Sequence, residues 1–118
     1  MSSKPVPKIS YSALLGRLIQ HHRERIGLSQ SQVAAALGIM QPAYSRIEKG
    51  DTSITVTQLR AASHALQLSP SHLLNEADRW AQQLRGRGVT VTDEKDVPKA
   101  ALLVGLAILA AALLGAAG

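Results

Sequence analysis

A row of polar side chains between residues 41 and 49 has the residue types and spacing needed to hydrogen-bond to a double-stranded nucleic acid. The row has helical spacing and contains Gln41, Pro42, Ser45, Arg46 and Lys49. Amide, hydroxyl and guanidinium groups form hydrogen bonds with base edges and phosphates. A short helix whose outer face is polar and neutral to basic fits a major groove, so we predict that this segment contacts DNA.

The residues before this row predict the turn that would hold the helix away from the body of the protein. From Gln30 to Glu48 the sequence reads QSQVAAALGIMQPAYSRIE. Ala34 is small enough for a close crossing of two helices, and Gly38 adopts the left-handed backbone of a tight turn at no steric cost. Four apolar side chains would fix the angle between the two helices: Val33, Leu37, Tyr44 and Ile47. This pattern predicts two helices joined by a tight turn.

Start and stop signals predict five helices in a domain of residues 12–85, which makes the fold class all-α. Apolar residues recur at spacings of three and four after Ser12, and Gly27 ends that first helix. The other helices begin at capping or proline signals: Ser29 with Gln32, Pro42, Thr55, and Ser69 with Pro70. The residues before this domain, 1–11, contain two prolines and two lysines and predict a flexible arm.

Residues 86–99 differ in composition from the preceding domain and predict a linker. They contain two glycines, an acidic cluster and Pro98. The alternation of valine and threonine from Val89 to Thr92 allows one short strand within the linker.

Residues 100–118 contain no charged or polar side chain and predict a hydrophobic helix. Nineteen residues in a helix span about 28 Å, close to the roughly 30 Å hydrocarbon core of a bilayer. Lys99 lies just before this segment, and small residues four apart, such as Ala101 and Gly105, would let two helices approach closely. A C-terminal membrane anchor is the favoured interpretation. A helix buried in a soluble oligomer and a disordered tail are the alternatives.

The charge distribution favours a polyanion partner for the first domain. The chain carries a formal net charge of +5, and residues 1–87 hold eleven basic side chains against five acidic ones. There is no cysteine, which excludes disulfides and thiolate metal sites. The adjacent His21 and His22 would point about 100° apart on a helix, so we predict no metal site and interpret the histidines as surface residues. No catalytic spacing stands out, and we expect neither an enzyme nor a cofactor.

Three stretches of the chain resemble the Cro and cI repressor-like family, also called the XRE family. They read LSQSQVAAALGI, QPAYSRIEKG and TVTQLRAASHALQLSPSHLL, and they lie within residues 12 to about 75. The resemblance implies a lambda-repressor-like domain with a helix-turn-helix at its second and third helices. It also implies sequence-specific binding to double-stranded DNA.

The same resemblance implies a role for each polar residue of the row. Gln30 would grip a phosphate and steady a neighbouring base contact, and Gln41 would read adenine through its amide. Ser45 and Arg46 match positions that face base edges or nearby phosphates, and Lys49 would lie near backbone phosphates.

The resemblance further implies a structural pair between Arg23 and Glu48 that ties the first helix to the recognition helix. Three positions depart from the family pattern. Met40 replaces a Ser or Thr that would cap the recognition helix, Gln20 replaces a basic residue, and His22 replaces an aliphatic one. We expect these departures to affect DNA affinity more than the fold.

Together these features predict a transcriptional regulator, of the repressor type, that binds a two-fold operator as a homodimer. Its half-sites would lie roughly 34 Å apart. The DNA-binding domain would be cytoplasmic and anchored to the inner face of the cell membrane by residues 100–118. Two alternatives are a membrane-anchored adaptor that binds a cytoskeletal or other protein, and an antitoxin-type autoregulator.

Overall fold

Helices form most of the chain, as the sequence predicts, and two short strands add a small sheet. The computed structural model describes residues 6–94 and 96–116. In chain order its elements are β1 (Lys8–Ser10), α1 (Tyr11–Arg25), α2 (Gln30–Leu37), α3 (Gln41–Lys49), α4 (Val56–Ala65), α5 (Pro70–Gly86), β2 (Thr90–Thr92) and α6 (Lys99–Ala116).

The helix boundaries follow local capping chemistry. The Ser29 and Thr55 hydroxyls each accept a hydrogen bond from the third backbone N–H of the helix they precede. The side chains of Gln32 and Gln58 in turn accept from the backbone N–H of Ser29 and Thr55, which completes a capping box at α2 and at α4. The cap of α1 is Ser10, whose hydroxyl accepts from Ala13 N. α1 therefore begins one residue earlier than its apolar spacing alone predicts.

The core is centred on α1, which packs against both α3 and α5. Leu14, Leu18 and Ile19 of α1 are fully buried. The approach of α1 to α3 requires Gly16, because a Cβ there would lie only 2.4 Å from the backbone oxygen of Ile47. Sequence analysis placed the close crossing at Ala34 alone. Gly16 is a second crossing point, which packs α1 directly against the backbone of α3.

The segment before α1 is not a flexible arm over the part that the structure describes. β1 pairs in parallel with β2, with Ile9 opposite Val91, and Ile9 is fully buried. Residues 1–5 of the predicted arm lie outside the described residues. Within the predicted linker, residues 90–92 form β2, at the place where the sequence allowed one short strand, and β2 contacts α5. Burial of β-branched side chains from both segments stabilises this pairing.

α6 packs against β1 rather than standing apart from the domain. A Cβ at position 105 would lie 2.7 Å from the backbone oxygen of Lys8, so Gly105 permits close contact with a strand, not with a second helix as the small-residue spacing suggested. Leu109 and Ala112 of α6 are also buried, whereas Leu103 and Leu114 remain exposed.

None of the helices in residues 6–94 and 96–116 is sufficiently long and apolar to cross a membrane. The predicted membrane anchor is therefore not supported.

Candidate nucleic-acid interface

The turn between α2 and α3 holds α3 at the surface with one polar face outward. Ala34 is buried at the base of the turn, and Gly38 has the left-handed backbone, with a φ of 71°. α3 turns Tyr44, Ile47 and Glu48 into the protein. Four of the predicted DNA-contacting residues lie on its outer side and are exposed: Gln41, Pro42, Arg46 and Lys49. Ser45 lies between the two sides and is half-buried.

A continuous chain of hydrogen bonds joins α1 to the first residue of α3. The Arg23 guanidinium donates two bonds to the Glu48 carboxylate, at 2.6 and 3.1 Å, and a third to the backbone oxygen of Leu28 at 2.9 Å. Gln30 Nε2 donates to Glu48 Oε1 at 2.9 Å. Gln30 Oε1 accepts from Gln41 Nε2 at 2.7 Å. These bonds fix the amide of Gln41 relative to the body of the domain.

The ion pair at the start of this chain is shielded from water. The Arg23 and Glu48 side chains are only 10% and 2% exposed. Burial alone would raise the pKa of Glu48, but the hydrogen bonds from Arg23 and Gln30, with a contribution from the nearby Tyr44 hydroxyl, outweigh burial and lower that pKa. The hydrogen bond to Glu48 raises the pKa of Arg23. Both side chains therefore stay charged at neutral pH.

The Tyr44 hydroxyl lies beside this pair without a good partner. Its oxygen is buried and forms no hydrogen bond of acceptable geometry with any residue that the structure describes. Burial raises the pKa of Tyr44 above its usual range, and the Glu48 carboxylate raises it further. Tyr44 therefore packs as a neutral phenol, and its buried ring attaches α3 to the hydrophobic core.

The two basic residues of the α3 face, Arg46 and Lys49, are open to solvent. No carboxylate among the described residues lies within ion-pair distance of Arg46 or Lys49. Met40 precedes α3 without a side-chain cap, as its residue type predicts. The first backbone N–H groups of α3 are thus left without a side-chain hydrogen-bond partner from that position.

Two features of this part of the molecule were not predicted from the sequence. The first is the direct bond between Gln30 and Gln41, because the distance between two side chains on separate helices cannot be read from their spacing. The second is a group of three side chains, in which His22 of α1 lies beside His72 and Glu76 of α5, whereas only the neighbouring His21 and His22 were compared in the sequence. The spacing of four residues between His72 and Glu76 was the available signal.

Residues 19–73 match the sequence profile of the helix-turn-helix family HTH_3. The crystal structure of the clp gene regulator ClgR from Corynebacterium glutamicum is similar with a TM-score of 0.59 and 24% identity, over 69% of this chain and 92% of that one. The P22 c2 repressor protein, solved in complex with synthetic operator 9T, gives a TM-score of 0.47 and 30% identity, over 50% of this chain and 89% of that one. No curated protein matches the chain. The predicted helix-turn-helix is confirmed.

Proposed function

We propose that this chain is a DNA-binding transcriptional regulator that inserts α3 into the major groove of its operator. The observation that carries the proposal is the exposed face of α3. Gln41, Arg46 and Lys49 lie on this face, and no carboxylate in residues 6–94 and 96–116 is within ion-pair distance of Arg46 or Lys49. The match of residues 19–73 to the helix-turn-helix family supports it. A repressor needs no chemistry beyond this binding, because occupation of a promoter is enough to block transcription.

The hydrogen-bond chain behind α3 orients Gln41 for base recognition. A glutamine amide has two N–H donors and one acceptor oxygen. One donor of Gln41 is used by Gln30 Oε1, so one donor and the oxygen remain. That pair matches N7 and the N6 amino group of adenine. Arg46 is free to donate to guanine or a phosphate, and Lys49 supplies a charge near the backbone.

A homodimer is part of the proposal, and the outer side of α6 is its contact surface. Leu103 is 58% exposed and Leu114 is 77% exposed on a helix that has no polar residue from Ala100 onward. A groove of about 520 Å³ separates this side from α1, whose Arg17 and Glu24 line it with both signs of charge. A surface that offers both charges and an apolar strip can pair with itself about a two-fold axis.

The dimer is tested by sedimentation of the full chain over a range of concentrations. Leu103→Lys should shift the protein to monomer, whereas Val56→Lys, at a position 75% exposed on α4, should leave the dimer unchanged. A wild-type protein that stays monomeric at all concentrations, or that binds lipid vesicles through Leu103 instead, would contradict the dimer.

The DNA proposal is tested by selecting binding sites for the full chain from a random pool of duplexes. Gln41→Ala should then cost about 1–3 kcal/mol at one base pair of the selected site and little at the others. Lys49→Ala should weaken binding to all sequences. It should also reduce the slope of log K against log salt concentration by about 1, the value for the loss of one phosphate contact. Gln82→Ala, an exposed glutamine on α5, is the matched control and should change neither.

Two results would overturn this function. One is a folded protein that shows no preference for any duplex over scrambled competitor at low salt. The other is binding to a protein partner that salt does not weaken, which is the behaviour of the adaptor alternative. An antitoxin would pass the DNA tests, and it would be separated by co-purification of a partner chain.

A further inference from the structure

Two imidazoles and a carboxylate meet between α1 and α5, on a part of the molecule that the DNA proposal does not use. His22 lies on α1, and His72 and Glu76 lie one turn apart on α5. One ligand atom from each of these side chains lies within 4.8 Å of the other two. His22 Nε2 is 2.6 Å from Glu76 Oε1. The His22 and His72 ring centroids are 6.2 Å apart.

The burial of the three side chains suits a site that can be entered from solvent. The His22 and Glu76 side chains are 12% and 19% exposed, so the fold holds them in place. His72 is exposed, and no described residue forms a hydrogen bond with its ring. The hydrogen bond between His22 and Glu76 satisfies both of those groups and does not involve His72. A cation shared by all three side chains would bring the His72 ring into the same site.

The donor set selects the class of cation. Imidazole nitrogen with one carboxylate oxygen is a ligand set of Zn²⁺ and its neighbours among the transition metals, whereas Mg²⁺ and Ca²⁺ prefer oxygen alone. Glu76 supplies the carboxylate oxygen, and its side chain is 19% exposed. Two residues four apart on one helix and a third from a neighbouring helix can surround one ion on three sides.

The distances require only small movements. Ligand atoms at about 2.0–2.1 Å from a tetrahedral Zn²⁺ lie about 3.4 Å from each other. His22 and Glu76 would separate by somewhat under 1 Å. All the ligand atoms lie within 4.8 Å of one another, so no pair would have to close by more than about 1.4 Å. Rotation of the exposed His72 side chain can supply most of that movement.

We propose that His22, His72 and Glu76 form a binding site for a divalent transition-metal ion, with Zn²⁺ as the best fit. Three protein ligands leave the fourth position to water. The ion links α1 to α5, and it does so one residue from Arg23, whose guanidinium holds α3. Bound metal therefore stabilises the packing of α5 against α1, the helix that contacts α3, because the ion binds the folded chain and not the unfolded chain, in which the three ligands are far apart.

The experiment titrates the full chain with Zn²⁺ and follows thermal unfolding and calorimetric binding, without DNA. At a free Zn²⁺ concentration about 100 times the Kd, the melting temperature should rise by roughly 10 °C. Mg²⁺ should have no effect. His72→Gln removes an exposed ligand without touching the bond between His22 and Glu76, and it should weaken Zn²⁺ binding at least about 100-fold. His64→Gln, at an exposed histidine on α4, should leave the binding unchanged.

The spectrum of the Co²⁺ form provides a second readout. The wild-type protein should give the visible absorption of a tetrahedral site, and His72→Gln should lose it while it keeps the unfolding temperature of the metal-free protein. The proposal is overturned if the wild type shows no stabilisation by Zn²⁺. It is also overturned if His72→Gln responds as the wild type does, because the ion would then be held by scattered surface histidines.

Discussion

Replacement of Glu48 by glutamine should cost the domain a large part of its stability. The Glu48 carboxylate is 2% exposed and accepts two hydrogen bonds from Arg23, so the substitution removes the buried counter-charge and leaves the guanidinium only the exposed Glu24 carboxylate at 3.8 Å. Removing one partner of a buried ion pair costs about 3–5 kcal/mol. Because glutamine retains the shape and one acceptor oxygen, we expect the lower end, about 3 kcal/mol, for Glu48→Gln.

The assay is equilibrium unfolding in urea at pH 7, supported by thermal melting. A loss of about 3 kcal/mol corresponds to a fall in melting temperature of roughly 10–15 °C for a chain of this size. The matched control is Glu24→Gln. Its carboxylate also lies within 3.8 Å of the Arg23 guanidinium but is 57% exposed, and the loss there should stay below about 0.5 kcal/mol.

A measured loss below about 1 kcal/mol for Glu48→Gln would refute this reasoning, as would equal losses at the two positions. Either result would mean that water reaches the pair and screens it. The double variant Arg23→Met with Glu48→Met separates the alternatives further. If the cost comes from an uncompensated buried charge, the double variant should be more stable than Glu48→Gln.

Three further predictions concern acid stability, the buried phenol and the packing of α6. The pKa of Glu48 is lower in the folded chain than its ordinary value of 4.5, so the ionised carboxylate stabilises the fold above pH 4.5. This stability is lost as the pH falls through the pKa of the folded chain. Urea unfolding of the wild type between pH 7 and 3 should therefore show a loss of stability that Glu48→Gln lacks. Tyr44→Phe removes a buried hydroxyl that forms no hydrogen bond of acceptable geometry and should raise the free energy of unfolding by about 1 kcal/mol. A loss of that size would instead mean that the hydroxyl stabilises the Glu48 carboxylate. Gly105→Ala should lower the free energy of unfolding by about 1–3 kcal/mol, because the new Cβ meets the Lys8 backbone. The control Gly115→Ala has open space around it and should leave that free energy unchanged or raise it by up to about 1 kcal/mol. Equal effects of the two substitutions in thermal melts would contradict the packing of α6 on β1.

The turn and helix starts could be predicted because they depend on chemistry between residues close in the sequence. Ser29 with Gln32 and Thr55 with Gln58 cap their helices through side chains three residues apart. Gly38 takes the left-handed backbone that the tight turn requires. These signals need no knowledge of the rest of the chain.

The sheet and the position of α6 could not be predicted, because both depend on contacts between residues far apart. The alternation from Val89 to Thr92 allowed one short strand, but no local signal marks β1 or shows that the partner of Ile9 is Val91. The apolar run of α6 has the same composition whether it faces lipid or a protein core. Only the fit of Gly105 against β1 separates the two. The role of Gly16 is hidden for the same reason, since its neighbours are backbone atoms of another helix.

The roles of individual polar residues in DNA recognition remain predictions. Gln41, Arg46 and Lys49 are exposed on α3, while the amide of Gln30 is bonded within the protein on both of its ends. A phosphate contact by Gln30 would have to use its second N–H, which is the donor that Glu48 leaves free.

The pairing of β1 with β2 imposes an order on folding during synthesis. Residues 8–10 leave the ribosome before their partners at 90–92, which follow only after the five helices α1–α5 have been made. At about 5–20 residues per second, Ile9 stays without its burial partner for several seconds. Residues 8–10 thus reach their native place only after α5 has been made, and a nascent chain that stalls within α5 has an apolar strand edge without its partner.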